Sequence, residues 1–397
     1  MRTLRYVTVA SFVSLALVGC GTQVDGSRTA HSRPSSVGSG TESGRVLVIP
    51  AGPDLSIGLD TGGTEYLLSG VVAALRTRGG DILVADAGAS DIKLFDSTGA
   101  WRRTTGRPGS GPGEFGNLLD VVRCTDGGFV ARDLGSKLVA YSDTVTLIDE
   151  FAQGSDFADA MLLGCDTPHD PIALREGDGR VPPGGGLVRL PVRIVRGGIG
   201  AARRDTLATF AGTEYFFSRR GPYFLDVPLG ARTIAVVTSG RLVVGESDRD
   251  SITIVPLDGS PRRTIVHGLE RSPLGAGDFE RAFEERLSTL PFARTRKMIA
   301  PIRDEMPHPA RFPYFDALVA DDEGQIWLRT FEGYGAGHRI WRIFAADGAL
   351  AATVRLPAGL QVTEIARGTI LGIARDSTGG ERVVRYHIDG ASRSRGR

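Results

Sequence analysis

Asp81–Phe115 reads DILVADAGASDIKLFDSTGAWRRTTGRPGSGPGEF. An apolar run, Ile82–Ala85, ends on Asp86, and a short turn of Gly, Ala, Ser and Asp follows. A second run, Ile92–Phe95, ends on Asp96 and the turn Ser97-Thr98-Gly99; a third starts at Trp101. Alternation of period two, broken by Gly and Asp at intervals of roughly eight to ten residues, predicts successive antiparallel strands joined by tight turns.

Working outward, the end of the second strand in this unit finds counterparts along the chain. ILVAD ends at Asp86, GFVARD at Asp133, PIALRE at Glu176, LVVGE at Glu246, QIWLRT at Thr330 and LGIARD at Asp376. The spacings are 47, 43, 70, 84 and 46 residues. A strand–turn–strand unit recurring at roughly 40–50 residues marks a radial β-array. A chain of 397 residues exceeds a typical single core, but radial repeats pack only on their neighbours and escape that limit. The expected fold is all-β, a six-bladed β-propeller.

The two long spacings hold insertions. Gly177–Gly186 and Ala211–Leu229 read as loop-like, rich in Gly, Pro and aromatics, whereas Gly275–Phe312 reads as helical, between blades four and five. Seven blades is the alternative and requires residues 177–230 to form a blade of their own. A closed ring needs a device joining its ends. The expected one is an early strand, Arg45–Ile49 or Glu65–Ser69, added to the sheet of Val362–Ala366, Ile370–Ala374 and Arg382–Ile388.

Blade one resembles the NHL-repeat class of six-bladed propellers, in Val84-Ala85-Asp86, Ile92-Lys93-Leu94-Phe95-Asp96 and Gly99. Gly106–Phe115, GRPGSGPGEF, resembles the glycine-rich loop that follows such a blade in bacterial lipoprotein propellers. The resemblance extends to blade two, is recognisable in blades five and six, and is poor in three and four. It implies a fold and transfers no activity, because propellers host many functions.

The start of the chain reads as a targeting segment. Arg2 and Arg5 precede an apolar stretch, Tyr6–Val18, too short for a comfortable membrane span. It closes on Leu17-Val18-Gly19-Cys20, which resembles the lipobox of bacterial lipoproteins. That resemblance implies a signal peptide of residues 1–19, lipidation of Cys20 and attachment to a membrane. Gly21, rather than Asp, follows the cysteine, so the expected location is the cell envelope at the outer membrane, facing the periplasm or the cell surface. Residues 20–44 are rich in Gly, Ser and Thr, cannot bury enough apolar surface to offset ordering, and read as a flexible tether. The propeller is expected over residues 45–391, with its helical insertion at 275–312, and a frayed tail over 392–397.

A net charge of +1 gives no bulk attraction to nucleic acid, and none is expected as a partner. With Cys20 assigned, Cys124 and Cys165 remain, nine and eleven residues before Asp133 and Glu176. Each falls near the end of the first strand in adjacent blades. A disulfide between them is expected in an exported domain; two unpaired thiols at one level are the alternative. Neither has a second ligand at metal-site spacing, and no metal or other cofactor is expected.

Arg132, Arg175, Arg329 and Arg375 precede the aligned strand-end residue in four blades, while Ala85 and Gly245 stand there in blades one and four. Four guanidiniums at equivalent positions around an axis make a partial basic ring able to grip a small anionic ligand. The competing reading is charge compensation, since Asp133, Glu176 and Asp376 follow directly. The helical insertion is the second candidate. Phe279, Ala282, Phe283, Leu287 and Leu290 share one helical face, Asp278 is placed to cap it, and Pro291 to end it. A second short helix over Phe292–Ile299 carries Arg294, Arg296 and Lys297, a basic surface for a lid or one wall of a binding site; a plain structural cap is the alternative. Asp321-Asp322-Glu323-Gly324 reads as a hairpin turn, and Trp327 and Trp341 as blade packing. The aligned first strands, Leu119–Val122, Met161–Gly164 and Ala317–Val319, are mostly apolar. This favours a non-catalytic scaffold for an envelope protein or small anionic ligand over a propeller-type hydrolase or lyase acting at the central channel.

Overall fold

The computed structural model describes residues 45–388, apart from 60–62, 135–136, 153–159, 178–183, 198–203, 222, 291, 332–336 and 377–378. The targeting segment, Cys20, the tether, residues 392–397, Pro291 and most of the Gly177–Gly186 insertion lie outside the described residues.

Six sheets form the ring. Their innermost strands are Val71–Arg76, Leu118–Arg123, Met161–Cys165, Thr233–Thr238, Phe315–Ala320 and Gln361–Ala366. Each packs beside the innermost strand of the blade before and after it, and blade six returns to blade one. The expected six-bladed propeller is therefore the observed fold. Residues 177–230 are no seventh blade: they belong to the blade-three sheet and its exit.

The second strands lie sandwiched between neighbouring blades. Ile82–Asp86 and Phe129–Asp133 are buried at every residue. Burial on both faces requires a continuous apolar run rather than strict alternation. The polar residue ending each run is an anchor. Asp86 accepts the N–H groups of Ser69, Gly88 and Ala89 and the Lys93 ammonium. Asp133 accepts those of Gly116 and Asn117. Each carboxylate thus holds the backbone entering its own blade, as Asp does in tight turns. Gly106 opens the glycine-rich loop with φ of 80°, and a Cβ there would fall 2.7 Å from the buried Phe115 ring. Asp321 opens a hairpin turn, accepting the N–H groups of Glu323 and Gln325 and the Trp327 indole N–H at 2.9 Å. Trp327 and Trp341 are buried blade packing, as expected.

Ring closure departs from expectation. Leu55–Ile57 pairs antiparallel with Glu381–His387 and becomes the outer strand of blade six. Arg45–Leu47 instead pairs parallel with Leu350–Pro357, the outer strand of blade five. Thr64–Tyr66 is a 3-10 turn. The Leu55-Ser56-Ile57 triplet is short, yet it buries both apolar residues and exposes the serine between them; that alternation suits the last open edge.

Blade three departs further. Its third and fourth strands, Gly186–Gly197 and Arg204–Phe217, are far longer than the second strand, Pro171–Glu176, with which the third pairs only from Val192 to Arg196. The remainder rises above the sheet as a two-stranded ribbon and gains a third strand, Phe224–Asp226. Ala211–Leu229, expected as loop, is thus largely strand. Its aromatics alternate between two faces of the ribbon, and the loop-like composition belongs to its turns.

Candidate binding face

Strands alternate in direction within each blade. The connections between blades, the ribbon and the helical insertion therefore emerge on one face of the ring. The insertion contains α1 (Asp278–Ser288), α2 (Ala293–Ile299) and a 3-10 turn over Ala300–Asp304. Gly277, with φ of 84°, occupies the cap position expected for Asp278. Asp278 is the first helical residue, and its carboxylate accepts the Gly275 N–H at 2.7 Å, closing the preceding turn. The expected apolar face holds: Phe279, Ala282, Phe283 and Leu287 are buried.

That face packs on the ribbon of blade three. Phe216, Leu225 and Val227 share one cluster with Phe279, Phe283, Leu287, Ile299, Ile302 and Met306. Polar ties run along its margin. The Arg286 guanidinium donates to Asp226 at 2.6 Å. Glu305 accepts from the Ser218 hydroxyl at 3.1 Å and the Arg219 N–H at 3.0 Å. Arg271 donates to the carbonyls of Phe312 and Arg311, pinning the two ends of the insertion together. Two insertions separate in sequence thus build one wall on the connection face.

The wall carries two concavities. A cavity of about 200 Å³ lies where ribbon, blade four and insertion meet, lined by Glu214, Leu229, Ala231, Asp248, Arg271 and Pro313. Arg189 spans its rear, donating to Asp248 at 2.8 Å and to the Gly212 carbonyl at 2.7 Å. The second is an open groove of about 540 Å³ between the helices, lined by Glu284, Leu287, Ser288, Arg296, Lys297 and Ala300. Arg296 donates to the Leu290 carbonyl at 2.6 Å, and Arg294 is exposed beside it on α2. Arg296 and Lys297 of the expected basic surface thus border the groove, opposite Glu284, while Arg294 is not part of its lining.

Nearby, Glu176 accepts from the Tyr215 hydroxyl at 2.9 Å. Burial pushes the Glu176 carboxyl above its usual range and the Tyr215 phenol upward as well. His267 follows the fourth strand of blade four, ahead of the insertion, and is buried against Tyr314, Phe315 and Phe344. Its Nδ1 accepts the Leu269 N–H, so its Nε2–H donates to the Arg249 carbonyl. This arrangement requires neutral imidazole, and burial holds its pKa below the usual histidine value; the Arg249 carbonyl and Asp250 oppose that shift. The unfolded chain then takes up a proton first as pH falls through about 6.5. The expected result is a urea midpoint that drops between pH 7.5 and 5, with a shallower drop in His267→Gln. An equal drop in both proteins would remove His267 as the cause.

Three of the arginines expected as a ring pair with carboxylates of their own sheets. Arg132 is buried and donates to Asp120 at 3.0 Å and to the Ala160 carbonyl. Arg329 donates to Asp316 at 2.5 Å and lies over the Trp341 ring. Arg375 donates to Glu381 at 2.9 Å. Arg175 also has a partner. At Arg132, Arg329 and Arg375 compensation is the arrangement found, but by a carboxylate on the neighbouring strand rather than by the residue that follows. Asp376 caps the Gly380 N–H, as Asp133 and Glu176 serve the partners given above. The sequence signal for two of these pairs is an aspartate in the first strands of blades two and five, Asp120 and Asp316.

Cys124 and Cys165 form the expected disulfide, joining the ends of the innermost strands of blades two and three. Those innermost strands carry half-buried Val72, Leu119, Leu163, Val236, Val319 and Val362. Among the described residues, no three His, Cys, Asp or Glu side chains gather as metal ligands would.

No family model and no curated protein sequence matches the chain. Among solved structures the chain is similar to several. A protein of Bacteroides fragilis is 11% identical, over 88% of this chain and 98% of that one, with a TM-score of 0.49. A member of family DUF4221 from Bacteroides vulgatus is 11% identical, over 87% and 98%, with a TM-score of 0.45. Virginiamycin B lyase from Staphylococcus aureus is 10% identical, over 83% and 97%, with a TM-score of 0.40. The propeller fold by itself fixes no function.

Proposed function

We propose that the chain is a lipid-anchored, non-catalytic binding scaffold of the bacterial cell envelope, working through its connection face. The observation that carries this reading is the wall built jointly by the blade-three ribbon and the helical insertion, with a basic groove beside α2. A ring needs no such wall for its own closure, which Leu55–Ile57 provides. In the groove, Arg296 and Lys297, with Arg294 alongside, suit an anionic group on an envelope protein or a small ligand. The lipobox-like Leu17–Cys20 supplies the anchor, and residues 21–44 the reach from the membrane surface.

The test uses the full chain in membranes, with a photo-crosslinking residue at Ser288 on the groove wall. The expected result is a discrete adduct that disappears in Arg294→Glu/Arg296→Glu while the folded protein level is unchanged. An adduct indifferent to charge reversal, or none, would overturn the groove. Cys20→Ala should move the protein from membrane to soluble fraction; retention in the membrane would overturn the anchor.

A further inference from the structure

The face opposite the insertion carries a second feature. The innermost strands of blades one and two end there on Arg76 and Arg123. Arg123 reaches past blade one to blade six, donating to Glu364 at 2.8 Å and to the Arg76 carbonyl. Blades two and six are not neighbours in the ring, so this contact crosses the mouth of the central channel. Arg76 reaches the same carboxylate from the other side. Its backbone N–H donates to Glu364 at 2.8 Å, and its Nη2 donates to the Thr369 hydroxyl at 2.6 Å.

One donor group is left over. The Arg76 side chain is 8% exposed, and its buried Nη1 has no hydrogen-bond partner. Glu364 stands 3.6 Å from it, within ion-pair range only. A buried charged donor without an acceptor is costly, more so than a neutral one. The surroundings are cationic. Arg78 donates to the Thr125 carbonyl at 3.2 Å, and Arg367 to the Arg78 carbonyl at 3.0 Å. Asp322 answers Arg367 through its backbone N–H, leaving Glu364 as the carboxylate shared by Arg76 and Arg123. Arg123 remains 35% exposed at its side chain, so the mouth is open to solvent on that side.

We infer that the Arg76–Arg123 pair at this end of the channel is a binding site for a small oxyanion, a phosphate or carboxylate group, for which Glu364 stands in. Guanidinium forks match such oxygens bidentately, and two of them already face one carboxylate here. Glu364 holds the pair in place and competes with the ligand for the same donors. The site lies on the face opposite the α2 groove and is independent of the proposal made for that groove.

Inorganic phosphate and succinate are the probes, titrated against the full chain by calorimetry at constant ionic strength. The expected result is saturable binding of at least one of them below about 10 mM. Arg123→Gln should weaken it roughly tenfold or more, because it removes a charge-assisted fork. Glu364→Gln should tighten it, because the competing charge is gone while the amide oxygen still accepts from Arg76. Glu364→Gln also decides the matter if Arg123→Gln does not fold. Absence of saturable binding of both probes, or a Glu364→Gln protein that binds more weakly than the parent, would overturn the site. Phosphate binding with no succinate binding assigns the phosphate class, and the reverse assigns the carboxylate class.

Discussion

Phe283→Ala should lower the stability of the wall by about 4 kcal/mol, within the usual range for emptying a buried aromatic site. Phe283 has no exposed surface and sits where α1 meets the ribbon of blade three. Its cluster is separate from the clusters that knit the blades, so the loss should be local rather than global. Hydrogen exchange is the measurement. Amides of α1 and α2 and those of the distant Phe216–Val227 stretch should lose protection together, while Ile82–Asp86 and Phe129–Asp133 keep theirs. Faster exchange confined to the helices would mean that the ribbon stands by itself and that the two insertions are not one unit. The Arg286–Asp226 pair should weaken in the same variant, because its two partners ride on the two halves of that core.

Reducing the Cys124–Cys165 disulfide should have a comparable effect in a different place. The bridge closes a loop with a sequence separation of 41 residues. On the loop-entropy account that constraint on the unfolded chain is worth about 4 kcal/mol. It ties the ends of two adjacent innermost strands, where blades two and three share the cluster of Val130, Ala140, Leu162 and Ala173. The expected result is a lower denaturant midpoint in reductant, reproduced by Cys124→Ser/Cys165→Ser, with that variant indifferent to reductant. A parent midpoint unchanged by reductant would mean that packing between the blades, and not the bridge, sets the stability of this junction. The two predictions are separable: losing Phe283 should leave the blade-two to blade-three junction protected, and losing the disulfide should leave the wall folded until the ring opens.

The basic ring illustrates how a pattern in one dimension misleads in three. Arg132, Arg329 and Arg375 do occupy equivalent positions, but each is answered by a carboxylate on an adjacent strand of its own sheet. Strand register, with its bulges beside Asp120 and Asp316, makes those pairs, and register is not visible in the spacing of the arginines alone. At Arg76 and Arg123 the reverse holds. Nothing in their local sequence sets them apart, yet ring geometry brings both to Glu364, 288 and 241 residues away.

What the sequence by itself determined is the repeat: strand, turn and polar anchor copied at intervals near 45 residues in blades one, two, five and six, where local alternation, tight-turn residues and continuous apolar second strands agree. The helix face of the insertion and the pairing of the two cysteines were legible for the same reason, since each depends on periodicity or on level within the repeat. Only the tertiary structure decided which short strand closes the ring, that the Ala211–Leu229 segment is a ribbon, and that this ribbon and the helices share a core. Those outcomes depend on contacts between segments far apart in the chain. An edge accepts whichever strand reaches it with its apolar residues facing inward, and an amphipathic face is buried by whatever the fold sets opposite it.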